Sequence, residues 1–226
     1  MRVLYAGTPE IAVPGLEALA NRHEVVGVLT NPDRGTGRGR KVRFSPVKTK
    51  ALDLGLTVVQ PETLRGEARE SVASLDPELL VCVAYGRIFG PKFLSLFPRG
   101  GINMHPSLLP RHRGPAPIPA AILAGDRETG ITIQQLAREM DAGDILLQQK
   151  RPLTGRETTA ALTAWAAEEG AEMLVEAVDL IEAGREEPVA QDPEKATYCS
   201  FLSKEESWID WLESAVEIDR RVRAFN

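Results

Sequence analysis

The chain has 226 residues, 43% hydrophobic and 26% charged, and a net charge of −5. That length buries a full core, as one large domain or one domain with an appendage. The acidic balance excludes wholesale coating of nucleic acid and leaves room only for a local basic patch.

Residues 3–6, Val-Leu-Tyr-Ala, read as a buried strand. The run is too short for a signal peptide, and no other run approaches membrane-spanning length, so the expectation is a cytoplasmic protein with no membrane partner. Gly7-Thr8-Pro9 turns the chain into a helix over 12–20, and 23–30 reads as a second strand. This βαβ opening implies a right-handed crossover. The first turn lacks the G-x-G-x-x-G spacing, so no NAD is expected.

Residues 31–44 form the first loop with character. Arg34, Arg38, Arg40, Lys41 and Arg43 are interleaved with Gly35, Gly37 and Gly39. The glycines predict a segment without regular structure. Two readings stand here: a flexible cationic loop for phosphate contact, and an ordinary solvated loop.

Ser45-Pro46 predicts a capped helix start running to about 54. Strands follow at 56–59 and 79–84, with a polar helix over 63–75 between them. Cys82 reads as a buried strand residue. Two cysteines and three histidines without close spacing predict no metal site. A short helix at 91–96 precedes a strand at 101–104. Beyond it, 118–124 is helical and ends at Gly125. Residues 129–136 alternate like a half-buried strand, and 144–149 form another, with a tight acidic turn between them. A long helix spans 158–183, with Trp165 read as core, and Gly184 ends it. The pattern weakens past 188, and a final helix covers 215–225. Strands alternating with helices predict an α/β fold, a mostly parallel sheet flanked by helices.

Candidate chemistry centres on Gly101-Ile102-Asn103-Met104-His105-Pro106. Side chains at i and i+2 share one face of a strand, so Asn103 and His105 project together from a strand end. That is where polar groups of a parallel sheet commonly meet a ligand. Pro106, Pro110, Pro115 and Pro117 stiffen the loop that follows, a suitable ligand wall carrying Arg111, His112 and Arg113. Asp141, in the acidic turn, is the best-placed carboxylate to orient the imidazole and favour its charged form. An Asn amide donates to an oxygen that gains negative charge. The other reading is that Asn103 caps the loop and His105 is a satisfied buried residue. Spacing alone does not bring Asp141 to His105.

The stretch 102–110, with Arg113-Gly114 and Ala116-Pro117-Ile118 after it, resembles the folate-dependent formyltransferases, and Asp141-Ala142-Gly143-Asp144 resembles their aspartate loop. Ala6-Gly7-Thr8-Pro9, Asn31-Pro32-Asp33-Arg34 with Gly37-Arg38-Gly39, and Leu202-Ser203-Lys204-Glu205-Glu206 with Ile209-Asp210-Trp211 narrow the likeness to the branch that formylates methionyl-tRNA. The resemblance spans the whole chain. It implies a Rossmann-like formyltransferase fold and transfer of the formyl group of 10-formyltetrahydrofolate to the α-amino group of initiator methionyl-tRNA, in translation initiation. By the same resemblance, Asn103 and a protonated His105 stabilise the oxyanion of the tetrahedral intermediate, and Asp141 holds His105 and helps move protons. Ser107, Leu108, Leu109 and Pro110 contact the folate, and the 85–89 segment walls the pterin. Arg34, Arg38, Arg40 and Lys41 meet the acceptor end of the tRNA. Residues 1–188 are expected to be the catalytic domain and 189–226 the start of a linker and C-terminal region, with the family's C-terminal β-barrel absent and tRNA binding correspondingly weaker. A monomer is expected.

The sequence departs from the family pattern at Phe89-Gly90-Pro91, His112, Pro115, Pro119 and Ala160. None of these is a catalytic position. Two rival readings remain: formylation of an amino-sugar nucleotide or ribonucleotide, and a folate- or tRNA-binding module with little turnover.

Overall fold

Strand β1 (Arg2–Gly7) supplies the most deeply buried run of the chain, with Val3, Leu4, Tyr5 and Ala6 wholly inaccessible. The structure is a computed structural model that describes residues 1–36 and 41–226. The chain divides into two units, Met1–Met104 with Ala171–Glu186, and His105–Gly170 with Glu187–Asn226.

In the first unit β1 leads through a 3₁₀ turn at Glu10–Ala12 to α1 (Val13–Arg22) and β2 (Glu24–Leu29). The chain continues through β3 (Arg34–Thr36), β4 (Lys41–Arg43), α2 (Pro46–Asp53), β5 (Val58–Val59), α3 (Glu67–Ala73), β6 (Leu79–Val83), α4 (Pro91–Leu94) and β7 (Gly101–His105). β5, β2, β1, β6 and β7 are neighbours in that order and every pairing is parallel. β6 is buried at all of its positions. Such unbroken apolar strands are what a parallel sheet covered on both faces requires. Gly7 is fixed by packing: a Cβ there would stand 2.8 Å from that of Ala12 and 3.0 Å from the Val83 carbonyl. The glycine of the first turn therefore serves close approach of the chain.

Ser45 caps α2 as its sequence predicts, accepting from the Lys48 amide at 3.1 Å with Pro46 in the first turn. Two expectations need correction. α3 begins at Glu67, not near 63, because Gly66 holds a left-handed φ of +49° that a helix cannot pass through. The cationic loop is not without regular structure. Arg34–Thr36 and Lys41–Arg43 pair as an antiparallel ribbon, Gly35 opposite Val42. Glycine weakens a strand without forbidding it. The base of this loop is tied down: Asp33 pairs with Lys48 and accepts from Gln60 at 2.9 Å.

The second unit holds α5 (Pro117–Ala124), β8 (Glu128–Gln135), β9 (Ile145–Pro152), the first half of α6 (Thr159–Ala183), and α7 (Ala215–Ala224). β8 and β9 are antiparallel, with an irregularity at Ile133/Gln134. β8 was expected to be half-buried, yet it is buried from Thr129 through Gln134. Gly130 shows one cause: a Cβ there would lie 2.3 Å from Leu108 Cδ2 and 2.2 Å from the Gln149 carbonyl. Trp165 is half-buried with Arg151 4.8 Å over its ring, a cation–π contact at the margin of the core. α7 starts on a reciprocal Ser214/Glu217 capping box. Among the described residues no helix is long and apolar enough to cross a membrane.

Candidate active site

β7 delivers the two polar groups that the sequence places on one strand face. Asn103 stands in register with Cys82 of β6, and its side chain makes no hydrogen bond among the described residues. It does not cap the following loop. His105 ends the strand and is 4% exposed. Its Nε2 lies 2.9 Å from the His112 carbonyl oxygen. A carbonyl only accepts, so Nε2 carries the hydrogen and Nδ1 is the nitrogen left open. Nδ1 faces Oδ1 of Asp141 at 3.6 Å.

Burial lowers the pKa of His105, and the nearby His112 imidazole lowers it further. The Asp141 carboxylate and the His112 carbonyl oppose this without cancelling it. The resting imidazole is therefore neutral at neutral pH, with its lone pair on Nδ1. The protonated His105 that the resemblance implies belongs to the intermediate; burial favours the neutral ring at rest.

Asp141 is held from several sides. Its backbone sits at a left-handed φ of +53°, a conformation that a carboxylate residue adopts when its surroundings enforce it. Oδ2 accepts from the Gly114 amide at 2.8 Å and Oδ1 from Gln134 Nε2 at 2.9 Å. Its carbonyl accepts from Gln191 Nε2 at 2.9 Å. Gln191 also donates to the Gly143 carbonyl at 2.7 Å, and its Oε1 accepts from Arg113 Nη2 at 2.8 Å. Gly143 has no alternative, since a Cβ would fall 1.8 Å from the Gln135 carbonyl. Gln134 and Gln191 escaped the sequence reading. Gln134 had no signal, since strand alternation with Ile131 and Ile133 puts it on the other face. Gln191, in an irregular segment, had none either.

The loop after β7 divides its residues between the protein interior and a cavity. Ser107 is fully buried, and its hydroxyl donates to the Arg111 carbonyl at 2.7 Å while its own carbonyl accepts from Thr132. Leu108, Leu109 and Pro110 instead form the apolar side of a cavity of about 410 Å³, with Arg111, Arg127, Lys150 and Lys195 among its cations. His112 lines the cavity as well, so one residue touches both this space and His105. Arg113, at 5% exposure, turns inward to Gln191 and Tyr198.

In the first unit, Tyr85 and Phe89 stack at 5.5 Å, and Asn31 Nδ2 donates to the Tyr85 carbonyl at 2.7 Å. Burial lifts the Tyr85 phenol to about 12, outweighing the opposing pull of Arg87. Arg34 and Lys41 lie on β3 and β4, and Arg38 and Arg40 lie outside the described residues. Among the described residues one group, His23, Asp179 and Glu182, brings potential metal-ligand atoms within 4.8 Å of one another. Both carboxylates there already pair with cations, Arg22 and the Met1 amine.

The sequence matches the formyl transferase family over residues 1–178. It is 47% identical to a methionyl-tRNA formyltransferase of Treponema denticola, across all of this chain and 72% of that protein. It is 48% identical to one of Treponema pallidum, across all of this chain and 73% of that one. Among solved structures it resembles an N-formyltransferase from Helicobacter canadensis in complex with folinic acid and dTDP-3-aminofucose. There the TM-score is 0.76 at 23% identity, over 99% of this chain and 80% of that one.

Proposed function

The chain belongs to the formyl transferase family, and from that premise we propose that it moves the formyl group of 10-formyltetrahydrofolate onto the α-amino group of methionine carried by initiator tRNA. The observation that carries this reading is the identity of close to one half with methionyl-tRNA formyltransferases over the entire chain. The family's chemistry is formyl transfer. The folate donor is supported by a solved relative that holds folinic acid, and by the cavity beside Leu108, Leu109 and Pro110. Its volume falls in the usual range for small-molecule sites. Its apolar wall suits a flat ring system, and Arg127, which pairs with no carboxylate among the described residues, suits a carboxylate tail.

The residues divide the work as follows. The donor supplies a formyl group on a folate nitrogen. The bond from that nitrogen to the formyl carbon breaks as a bond to the methionine nitrogen forms. The proton lost by the amine is the one the folate nitrogen gains. His105 Nδ1 takes that proton, and Asp141 stabilises the imidazolium across 3.6 Å. Asn103, with an amide free of other hydrogen bonds among the described residues, donates to the formyl oxygen as charge gathers there. Alignment of the two reactants supplies much of the acceleration. Arg34, Arg38, Arg40 and Lys41 take the tRNA backbone near its acceptor end. Residues 1–188 form the catalytic domain, and Gln191, in the 189–226 segment, reaches Asp141. The protein acts as a monomer in the cytoplasm.

The test is formyl transfer with 10-formyltetrahydrofolate and charged initiator tRNA, run beside a dTDP-amino-sugar acceptor. Formylation of the tRNA is expected. Transfer to the sugar nucleotide alone would overturn the proposal, and binding of both substrates without turnover would do the same.

A further inference from the structure

His112 occupies the left-handed region, φ +57°. Histidine enters this region more readily than most side chains, and here two hydrogen bonds fix it. Its imidazole Nε2 donates to Asp126 Oδ2 at 2.7 Å, and its amide donates to Thr197 Oγ1 at 2.9 Å. The same carboxylate is gripped by Arg111, whose Nε reaches Oδ2 at 3.1 Å and whose Nη2 pairs with Oδ1. Asp126 follows Gly125 at the left-handed end of α5, and its own amide donates back to the Ala121 carbonyl at 3.1 Å. The consequence of this brace is the direction of one carbonyl, 2.9 Å from His105 Nε2.

Neutral imidazole has two tautomers, and the bond made by one nitrogen selects which is present. We propose that His112 is a positioning residue, braced by Asp126 and Thr197, whose carbonyl locks His105 as the Nε2–H tautomer and so keeps Nδ1 open toward Asp141. The inference rests on the reading of His105 as the proton acceptor. It also gives His112, a departure from the family pattern, a role suited to its chemistry, since its ring N–H donates to Asp126. The charged and titratable groups near the two rings are Asp141 and His112 for His105, and Asp126 and Arg111 for His112.

The experiment is nitrogen NMR of the imidazoles, of which the chain has three, in the wild type, Asp126→Ala and Thr197→Val, with kinetics on each. The wild type should show His105 as Nε2–H. Both variants should shift it toward a mixture of tautomers. They should lower kcat by about tenfold or more, and Thr197→Val should keep both KM values within about twofold. Thr197 does not line the cavity, so its variant separates positioning from a changed folate wall and decides the matter if Asp126→Ala fails to fold. An unchanged His105 tautomer in the folded variants overturns the proposal, even where thermal stability falls. A shifted tautomer with undiminished kcat also overturns it. In that case His105→Ala distinguishes the cause: full activity there means that the acceptor reading itself has failed, and lost activity means that only the brace is dispensable.

Discussion

Nδ1 of His105 and Oδ1 of Asp141 stand 3.6 Å apart, beyond a good hydrogen bond and well within electrostatic reach. With Nε2 committed to the His112 carbonyl, the carboxylate acts on the one nitrogen that can change its proton count. Burial lowers the His105 pKa and Asp141 partly restores it. Activity that needs the neutral imidazole is therefore lost as pH falls through a value under 6.5. Asp141→Asn should lower kcat/KM by roughly 10²–10⁴. The acid limb of its pH profile should also move to lower pH, because the group that raised the histidine pKa is gone. A limb that stays in place would show that some other group titrates there.

Gln134 and Gln191 should matter without touching substrate. Gln134 is 2% exposed and donates to Asp141. Gln134→Ala leaves a carboxylate oxygen short of a donor, which costs about 1–3 kcal/mol. Gln134→Glu should be worse for activity, since it sets a second carboxylate against Asp141. Chemical denaturation paired with steady-state kinetics checks both. A Gln134→Glu enzyme with normal kcat would show that Asp141 does not depend on this neighbour.

Acid should loosen the fold before the carboxylates titrate. His23 and His105 both have lowered folded pKa values. Burial is the main cause in each, aided at His23 by the amino terminus. The unfolded chain takes up these protons near pH 6.5, and the folded chain only at lower pH. Stability should therefore be fullest above about pH 6.5 and decline as pH falls below it. Thermal unfolding across that window should show the decline in wild type and a shallower one in His105→Gln. A Tm that rises on acidification would refute the argument.

Much of this molecule was legible before its structure. Apolar strands of the parallel sheet announce themselves because both faces are buried, and Ser45, Gly125 and Gly184 mark helix ends through local chemistry alone. Asn103 and His105 were visible because strand alternation is a local rule. Asp141 was only a candidate, since its approach to His105 is made by Gly114, Gln134 and Gln191, residues distant in sequence. The His112 brace was hidden for the same reason: a left-handed histidine carries no sequence signal, and Asp126 and Thr197 are remote from one another in the chain. Ser107 shows a role the sequence did not announce, its hydroxyl bonded to its own loop.

The cationic loop provides a last prediction, one that separates binding from chemistry. Arg34 and Lys41 stand on paired strands whose foot is anchored through Asp33, Lys48 and Gln60. Arg38 and Arg40 lie between these strands in sequence and are among the cations proposed to meet the tRNA. Each phosphate contact removed reduces the salt dependence of nucleic-acid binding by about one unit of slope. Arg38→Ala with Arg40→Ala should therefore raise the KM for charged tRNA and flatten its dependence on salt. The KM for 10-formyltetrahydrofolate and the thermal stability should stay as in the wild type. An unchanged salt slope would remove the loop from the tRNA interface. A raised folate KM would place it at the donor site instead.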